Sequence, residues 1–303
     1  MAAQELVVDA AHHGERLDRF LQKSIPGANP ERIAAWLAQG AIRIRGKVPK
    51  PLRRLYAGDV VTFAKPEPAR ADLPGSDAKL PVLHESAAVV AIDKPAGLNV
   101  EPEGKLPSVV GALATQLQGW DVLGKAQPGV VHRLDKQTSG CLLLAKTDAA
   151  VAALKAAFDE GAIEKIYLAI VIGQPAPEGK LDTAYARDPK DPRRYTTLAR
   201  SARRARLAWK TLASHDGAAL LQIHLDTGRT HQIRVQLAES GLPVLGDAIY
   251  GPRETREHPA SPGRHALHAW KLAFPDPASG QRVGVEAPLP DDLRNVLTRM
   301  GLG

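Results

Sequence analysis

The chain has a single cysteine, Cys141, so no internal disulfide framework is available to it and a reducing compartment is expected. No stretch approaches the roughly eighteen consecutive apolar residues that cross a bilayer as a helix. The opening residues, MAAQELVVDAAHHGERLDRF, have neither a basic head nor an apolar core of signal-peptide length. A cytoplasmic protein without membrane association is the expectation. Internal repeats and single-residue tracts are missing. So are G-x-S-x-G, G-x-G-x-x-G and P-loop patterns, which removes support for hydrolase, dinucleotide and nucleotide readings. Ten histidines invite a metal hypothesis. His265 and His268, however, have no Glu or Cys at ligand spacing, so they are read as surface or strand residues and no metal is expected.

What the chain does have is length and positive charge. Its 303 residues allow one large domain plus a smaller one. Hydrophobic residues at 44% and charged residues at 24% give a globular rather than a disordered balance. Forty Lys and Arg against thirty-three Asp and Glu leave +7, and the pI is near 9.5. Such an excess favours a polyanionic partner, because basic side chains near phosphates displace condensed counterions.

Two globular regions are separated by a poor one. Residues 65–81, KPEPARADLPGSDAKLP, carry four prolines and no hydrophobic period, and read as a linker. Ahead of it, Asn29-Pro30 makes a helix start with Asn29 as cap. Ile33, Trp36 and Leu37 then share a helical face that Gly40 can close. In AIRIRGK, Ile42 and Ile44 alternate with Arg43 and Arg45, so a strand here packs its isoleucines and turns both arginines outward. RLDRFL, the second short helix, the basic hairpin and GDVVTF together resemble the small α/β RNA-binding domain first known from ribosomal protein S-four. The resemblance covers residues 14–63, or 14–75 with linker. It implies RNA contacts at Arg43, Arg45 and Lys47.

Beyond the linker, AVVAIDKPAG (88–97) reads as a buried strand that breaks at Lys94-Pro95, and CLLLAK (141–146) as another. Asp148 can cap a helix carrying Val151, Leu154 and Phe158, with Gly161 ending it. In KIYLAIVIG, Ile166, Leu168, Ile170 and Ile172 fall on one face, and Lys165, Tyr167, Ala169 and Val171 on the other. That alternation turns Tyr167 away from the most aliphatic surface. Leu221, Ile223 and Leu225 mark a further strand, and Ile233 and Leu237 a helix that Gly241 closes. Strands and helices mix without a regular βαβ period. The expected class is α+β, with a mixed, largely antiparallel sheet over residues 82–303.

The most informative stretch is GVVHRLDKQTSGCLLLAKT (129–147). It contains a charged turn, His132-Arg133-Leu134-Asp135, then a hydroxyl-rich turn and a buried strand. A bare Arg-x-Asp is usually a loop ion pair. The longer string resembles the catalytic loop of the RluA family of RNA pseudouridine synthases. EKIYLAIVIG (164–173), DTGRTHQIRVQLAESGLPVLGDAIYG (226–251) and LHAWKLAFPDP with EAPLP (267–290) are similar to that family's later motifs, in the same order. Gln236, where relatives often carry His, and the PDP at 275–277 depart from the pattern.

This resemblance implies a catalytic Asp135, an aromatic Tyr167 that stacks on the target base, and Arg234 paired with the aspartate. It also implies an Arg133 that enters the space left by a flipped nucleotide, and an RNA contact at Lys165. No cofactor is implied, and a monomer is expected. Extruding a stacked uridine costs a few kcal/mol, and an aromatic face returns roughly 1–3 kcal/mol of it. A glycosidase would need two carboxylates, whereas the central motif offers one acid among basic residues. The rival from another class is a non-catalytic RNA-binding or ribosome-assembly factor, which has no need of all three of Asp135, Tyr167 and Arg234. Large-subunit ribosomal RNA is the first expectation for the partner and transfer RNA the second. The run from Arg187 to Arg206 reads either as a basic insertion on the RNA backbone or as a disordered charged loop.

Overall fold

Alternation in the strand Ile42–Ile44 buries both isoleucines and exposes Arg43. Arg45 is also exposed, but it lies past the strand in a left-handed turn with φ 52°. The computed structural model of the chain describes residues 4–25, 28, 30–50, 52–64, 79–103, 106–117, 120, 129–201 and 203–303. It divides into compact units of residues 1–71 and 72–303. Most of the proline-rich stretch 65–81, and the Asn29 cap, lie outside the described residues.

In the first unit, β1 (Gln4–Val7), β2 (Ile42–Ile44) and β3 (Val60–Phe63) form an antiparallel sheet in the order β1-β3-β2. The pairing of β1 with β3 brings Gln4–Val7 into this unit, ahead of the start at Gly14 read from sequence. Helices α1 (Leu17–Ser24) and α2 (Pro30–Ala38) bury Leu17, Phe20, Leu21, Ile33, Trp36 and Leu37 with the strand isoleucines. Trp36 and Phe63 meet at 4.6 Å between ring centres. Gly40, at φ +68°, ends α2 as expected.

The second unit holds β4 (Val82–Glu85), β5 (Val89–Lys94), α3 (Val109–Gln116), β6 (Ser139–Ala145), α4 (Asp148–Asp159), β7 (Glu164–Ile172) and β8 (Glu178–Ala184). The short strands β9 (Ala186–Arg187) and β10 (Tyr195–Thr196) follow, then β11 (Arg204–His215), β12 (Ala218–Leu225), α5 (Gln232–Glu239) and α6 (Arg253–Arg256). Strands β13 (Leu267–Pro275) and β14 (Arg282–Glu286) and helix α7 (Asp291–Arg299) complete it. The main sheet runs β4-β5-β6-β13-β7-β12-β11-β8, with β14 also on β13. Among these strands only the β6–β13 pairing is parallel, so the mixed, largely antiparallel α+β expectation holds.

Burial on both faces explains the unbroken apolar runs. In β6, Leu142 and Leu144 enter the core beneath α3, α5 and α7, while Cys141 and Leu143 enter the core beneath α4. Burial pushes the Cys141 thiol up to about 12, which makes it unreactive. Helix α4 is capped by Thr147, whose Oγ1 accepts from Ala150 N at 3.1 Å, and not by Asp148. Threonine holds the extended Ncap backbone, and Asp148 becomes the first helical residue.

Strand β7 keeps the alternation read from sequence but is buried on both faces. Tyr167, Ala169 and Val171 lie in the larger core together with Ile170 from the other face, while Ile166 and Ile172 are half-buried. Tyr167 is enclosed between Ile223 of β12 and Ala269 of β13. Gly140 sets the entry to β6. It has φ +111°, and the carbonyl oxygen of Ala269 occupies the space a Cβ would need, so only glycine lets β6 lie against β13.

Candidate active site

Asp135 sits at the turn just before β6. Its carbonyl accepts from Thr138 N at 3.0 Å, and the buried Leu134 anchors the chain in the core. His132 is a strut: its Nε2 accepts from Leu143 N at 2.9 Å, which places the ring proton on Nδ1. Burial pushes His132 down to about 3, so it stays neutral. The hydroxyl-rich turn is held by residues of the β13 entry. Thr138 Oγ1 meets His265 Nε2 at 2.8 Å, and Ser139 Oγ meets His268 Nδ1 at 2.9 Å. Arg264 Nη1 donates to Gln137 O at 2.9 Å, and its guanidinium is anchored by Asp292 of α7 at 2.7 Å. His265 and His268 are therefore buried supports of the loop and not surface residues, and His268 lies on strand β13, in keeping with the strand reading. Spacing alone hides this, because their partners lie 127 and 129 residues away.

Arg234 reaches Asp135 from α5. Its Nη1 donates to Asp135 Oδ2 at 2.8 Å. Nε and Nη2 are taken by Asp247, at 2.7 and 2.9 Å. Asp247 also accepts from Ile249 N at 2.9 Å and Tyr250 N at 3.1 Å. Burial alone would raise the Asp247 carboxyl, but Arg234 and these N–H groups hold it below the usual range. The Tyr250 ring lies 5.4 Å from the guanidinium carbon. One oxygen of Asp135 is thus fixed, while the other, Oδ1, has the His231 ring 3.9 Å away. His231 precedes α5 in a left-handed conformation, φ 57°, and its Nδ1 meets Tyr250 Oη at 3.0 Å. Sequence reasoning does not single out Asp247, Tyr250 or His231. They lie inside the motif at 226–251, but only the fold shows that Asp247 closes back on Arg234.

Tyr167 joins this group from β7. Burial, and secondarily the Asp135 charge, push its hydroxyl above the usual phenol value. Lys165, two residues earlier, is buried with its ammonium 5.6 Å from the Phe158 ring centre. Burial lowers its pKa, with Asp226 opposing. Arg133 points outward and meets Glu101 at 3.4 Å. Arg43 is exposed on β2, and Arg45 and Lys47 lie on the exposed turn that follows, where Ile44 and Lys47 exchange backbone hydrogen bonds. Arg43 donates to Gly46 O at 3.0 Å, and Arg45 lies 3.4 Å from Asp59. The described residues of 187–206 include the β9–β10 hairpin. It is tied to Tyr250 by Tyr195 N at 3.0 Å and to Glu239 of α5 by Thr196 Oγ1 at 2.8 Å. Gln236 does not line the site; it stitches α5 to Thr183 Oγ1 at 2.9 Å and Ala205 O at 3.0 Å.

The sequence pattern of the RNA pseudouridylate synthase family matches residues 88–239, from β5 through α5, a span that contains Asp135, Tyr167 and Arg234. The chain belongs to the RNA pseudouridine synthase family. It is 36% identical over 297 residues to an uncharacterized RNA pseudouridine synthase of Chloroflexus aurantiacus, covering 97% of this chain and 93% of that one. It is 34% identical over 300 residues to the ribosomal large subunit pseudouridine synthase D of Neisseria meningitidis serogroup A, covering 95% of this chain and 79% of that one. The solved structure of human RNA pseudouridylate synthase domain containing 1 shares the fold. Its TM-score is 0.58 at 23% identity, over 76% of this chain and 98% of that one. The RluA-type reading of the motifs stands, and this pseudouridine synthase is an isomerase that acts on RNA. Among the described residues, no helix is long and apolar enough to cross a membrane.

Proposed function

We propose that this synthase isomerises uridines of large-subunit ribosomal RNA in the cytoplasm, as a monomer, with Asp135 acting on the ribose of a flipped nucleotide. The observation that carries the reading is the asymmetric hold on Asp135: Arg234 binds Oδ2 at 2.8 Å and leaves Oδ1 for the substrate. The carboxylate then acts either as nucleophile at the ribose or as base toward it. The C1′–N1 bond breaks, the base turns in the pocket, C1′–C5 forms, and the proton lost from C5 is balanced by one gained at N1. No electrons are exchanged with any other molecule. Tyr167 supplies the stacking face. Arg133, exposed beside Asp135, takes the place of the extruded base, and Lys165 binds the RNA next to it. The choice of ribosomal RNA rests on the name of the Neisseria relative and on the basic first unit.

The test uses 5-tritiated-uridine RNA. Large-subunit ribosomal RNA from a strain lacking the protein should release tritium on addition of the enzyme, and the modified positions should be absent from that strain's own RNA. Release from transfer RNA alone would overturn the choice of substrate. Binding without release from any RNA would favour the rival assembly factor.

In the same reading the first unit grips RNA backbone through Arg43, Arg45 and Lys47. Replacing all three with glutamine in the full chain should weaken RNA binding. The slope of log K against log salt should flatten by about 0.7 for each single-strand phosphate that is no longer neutralised. An unchanged slope would remove this turn from the RNA surface.

A further inference from the structure

Strand β5 ends on a lysine with no exposed surface, Lys94. Each of its three ammonium protons has a backbone carbonyl: Pro95 O at 2.8 Å, Leu98 O at 2.9 Å and Lys136 O at 3.1 Å. None is spent on a carboxylate. Lys136 directly follows Asp135, and its carbonyl also accepts from Gly97 N at 2.8 Å. The next carbonyl, Gln137 O, is held at 2.9 Å by Arg264 from the β13 entry. Two buried cations from different parts of the sheet thus hold consecutive carbonyls of the turn that carries Asp135. An apolar side chain would fill the space but leave these carbonyls without the donor that joins the two turns, so what the ammonium adds is the tie between them.

We propose that Lys94 is a positioning residue of the reaction: its ammonium locks the Asp135 turn against the 95–98 loop and so fixes where the carboxylate meets the ribose. This rests on the reading of Asp135 given above. Burial pushes Lys94 down to about 7, Arg264 acts in the same direction, and Asp135 and Asp93 oppose both. A neutral amine has two protons for three carbonyls. As pH rises and the ammonium is lost, one strut of the turn goes with it, so turnover should decline on the alkaline side.

The experiment compares Lys94→Met, Lys94→Gln and wild type in the full chain. It measures RNA affinity, thermal melting and single-turnover pseudouridine formation between about pH 6 and pH 9. Gln keeps two donors for the carbonyls and guards against a Met variant that does not fold. Both variants should bind RNA within about threefold of wild type, because the basic surfaces are untouched. Turnover of Lys94→Met should fall about 100-fold, the cost of a misplacement near 1 Å, and Lys94→Gln should lie between the two. Both should lack the alkaline decline of the wild type. A purely structural lysine would lower the melting temperature and leave the shape of the pH profile alone. A folded variant with wild-type turnover, a variant that keeps the alkaline decline, or collapse of both variants would each overturn the assignment. If the wild type itself forms no pseudouridine, the reading of Asp135 has failed and this one falls with it.

Discussion

Asp135→Asn is expected to give a folded protein that binds RNA and forms no detectable pseudouridine. An amide matches the carboxylate in size but is neither a nucleophile toward the ribose nor a base, so both candidate chemistries stop. The fold should persist because Arg234 does not depend on Asp135. Its Nε and Nη2 remain on Asp247 at 2.7 and 2.9 Å, and the new amide oxygen can still accept from Nη1. The stability loss should be that of one weakened charge-assisted hydrogen bond, about 1–2 kcal/mol. RNA affinity should hold or tighten slightly, since a negative charge near the phosphates is gone. Tritium release from labelled RNA and filter binding on the same preparation measure both halves. Wild-type conversion by the variant would remove Asp135 from the chemistry and take the proposed mechanism with it.

How much of this is legible in the sequence depends on the range of the interaction. Strands β5, β6 and β7 and the Gly40, Gly161 and Gly241 helix stops follow from local pattern, and all three glycines have positive φ. The pairing of Asp135 with Arg234 follows from the family motifs and is met at 2.8 Å. Asp247 has no such signal, because its role exists only once the chain after α5 returns to the guanidinium. His265 and His268 escape a local reading for the same reason: a polar residue whose partner lies across the sheet has no local signature. Tyr167 shows a different limit. Alternation ranks the faces of β7 by aliphatic content, but a central strand is buried on both faces, and Tyr167 shares one core with Ile170 from the other face. Lys94 marks, in sequence, only the point where a strand breaks. Its three carbonyl partners become visible when the 95–98 and 135–138 turns are brought together.

Arg234→Met should be the most disruptive single change in the site, because one cation serves two carboxylates there. Asp135 is partly exposed and can turn to water. Asp247, with its side chain 1% exposed, cannot. Losing the guanidinium leaves Asp247 only the N–H groups of Ile249 and Tyr250, and a stranded buried charge costs roughly 3–5 kcal/mol. Turnover should drop to background, since nothing then fixes Asp135 Oδ2. The pH dependence of stability should also change sign. In the wild type, burial works to raise the Asp247 carboxyl, and Arg234 with the two N–H groups outweighs it, so the folded-state value lies below the unfolded one. That contribution is present at neutral pH and lost as pH falls through the folded-state value. In Arg234→Met burial prevails and the folded-state value rises above the unfolded one. The native state then binds the extra proton, and the variant should be more stable in mild acid than at neutral pH. Adding Asp247→Asn removes the buried charge. The double variant should recover part of the stability and lose this pH slope, a non-additivity expected of groups in one network, yet it should regain no turnover because Asp135 still lacks its arginine. Denaturant melts of the three proteins at several pH values, with single-turnover assays alongside, measure each of these. An Arg234→Met protein with wild-type stability and turnover, or a double variant no more stable than the single one, would show that Asp247 and Asp135 do not share this arginine as described.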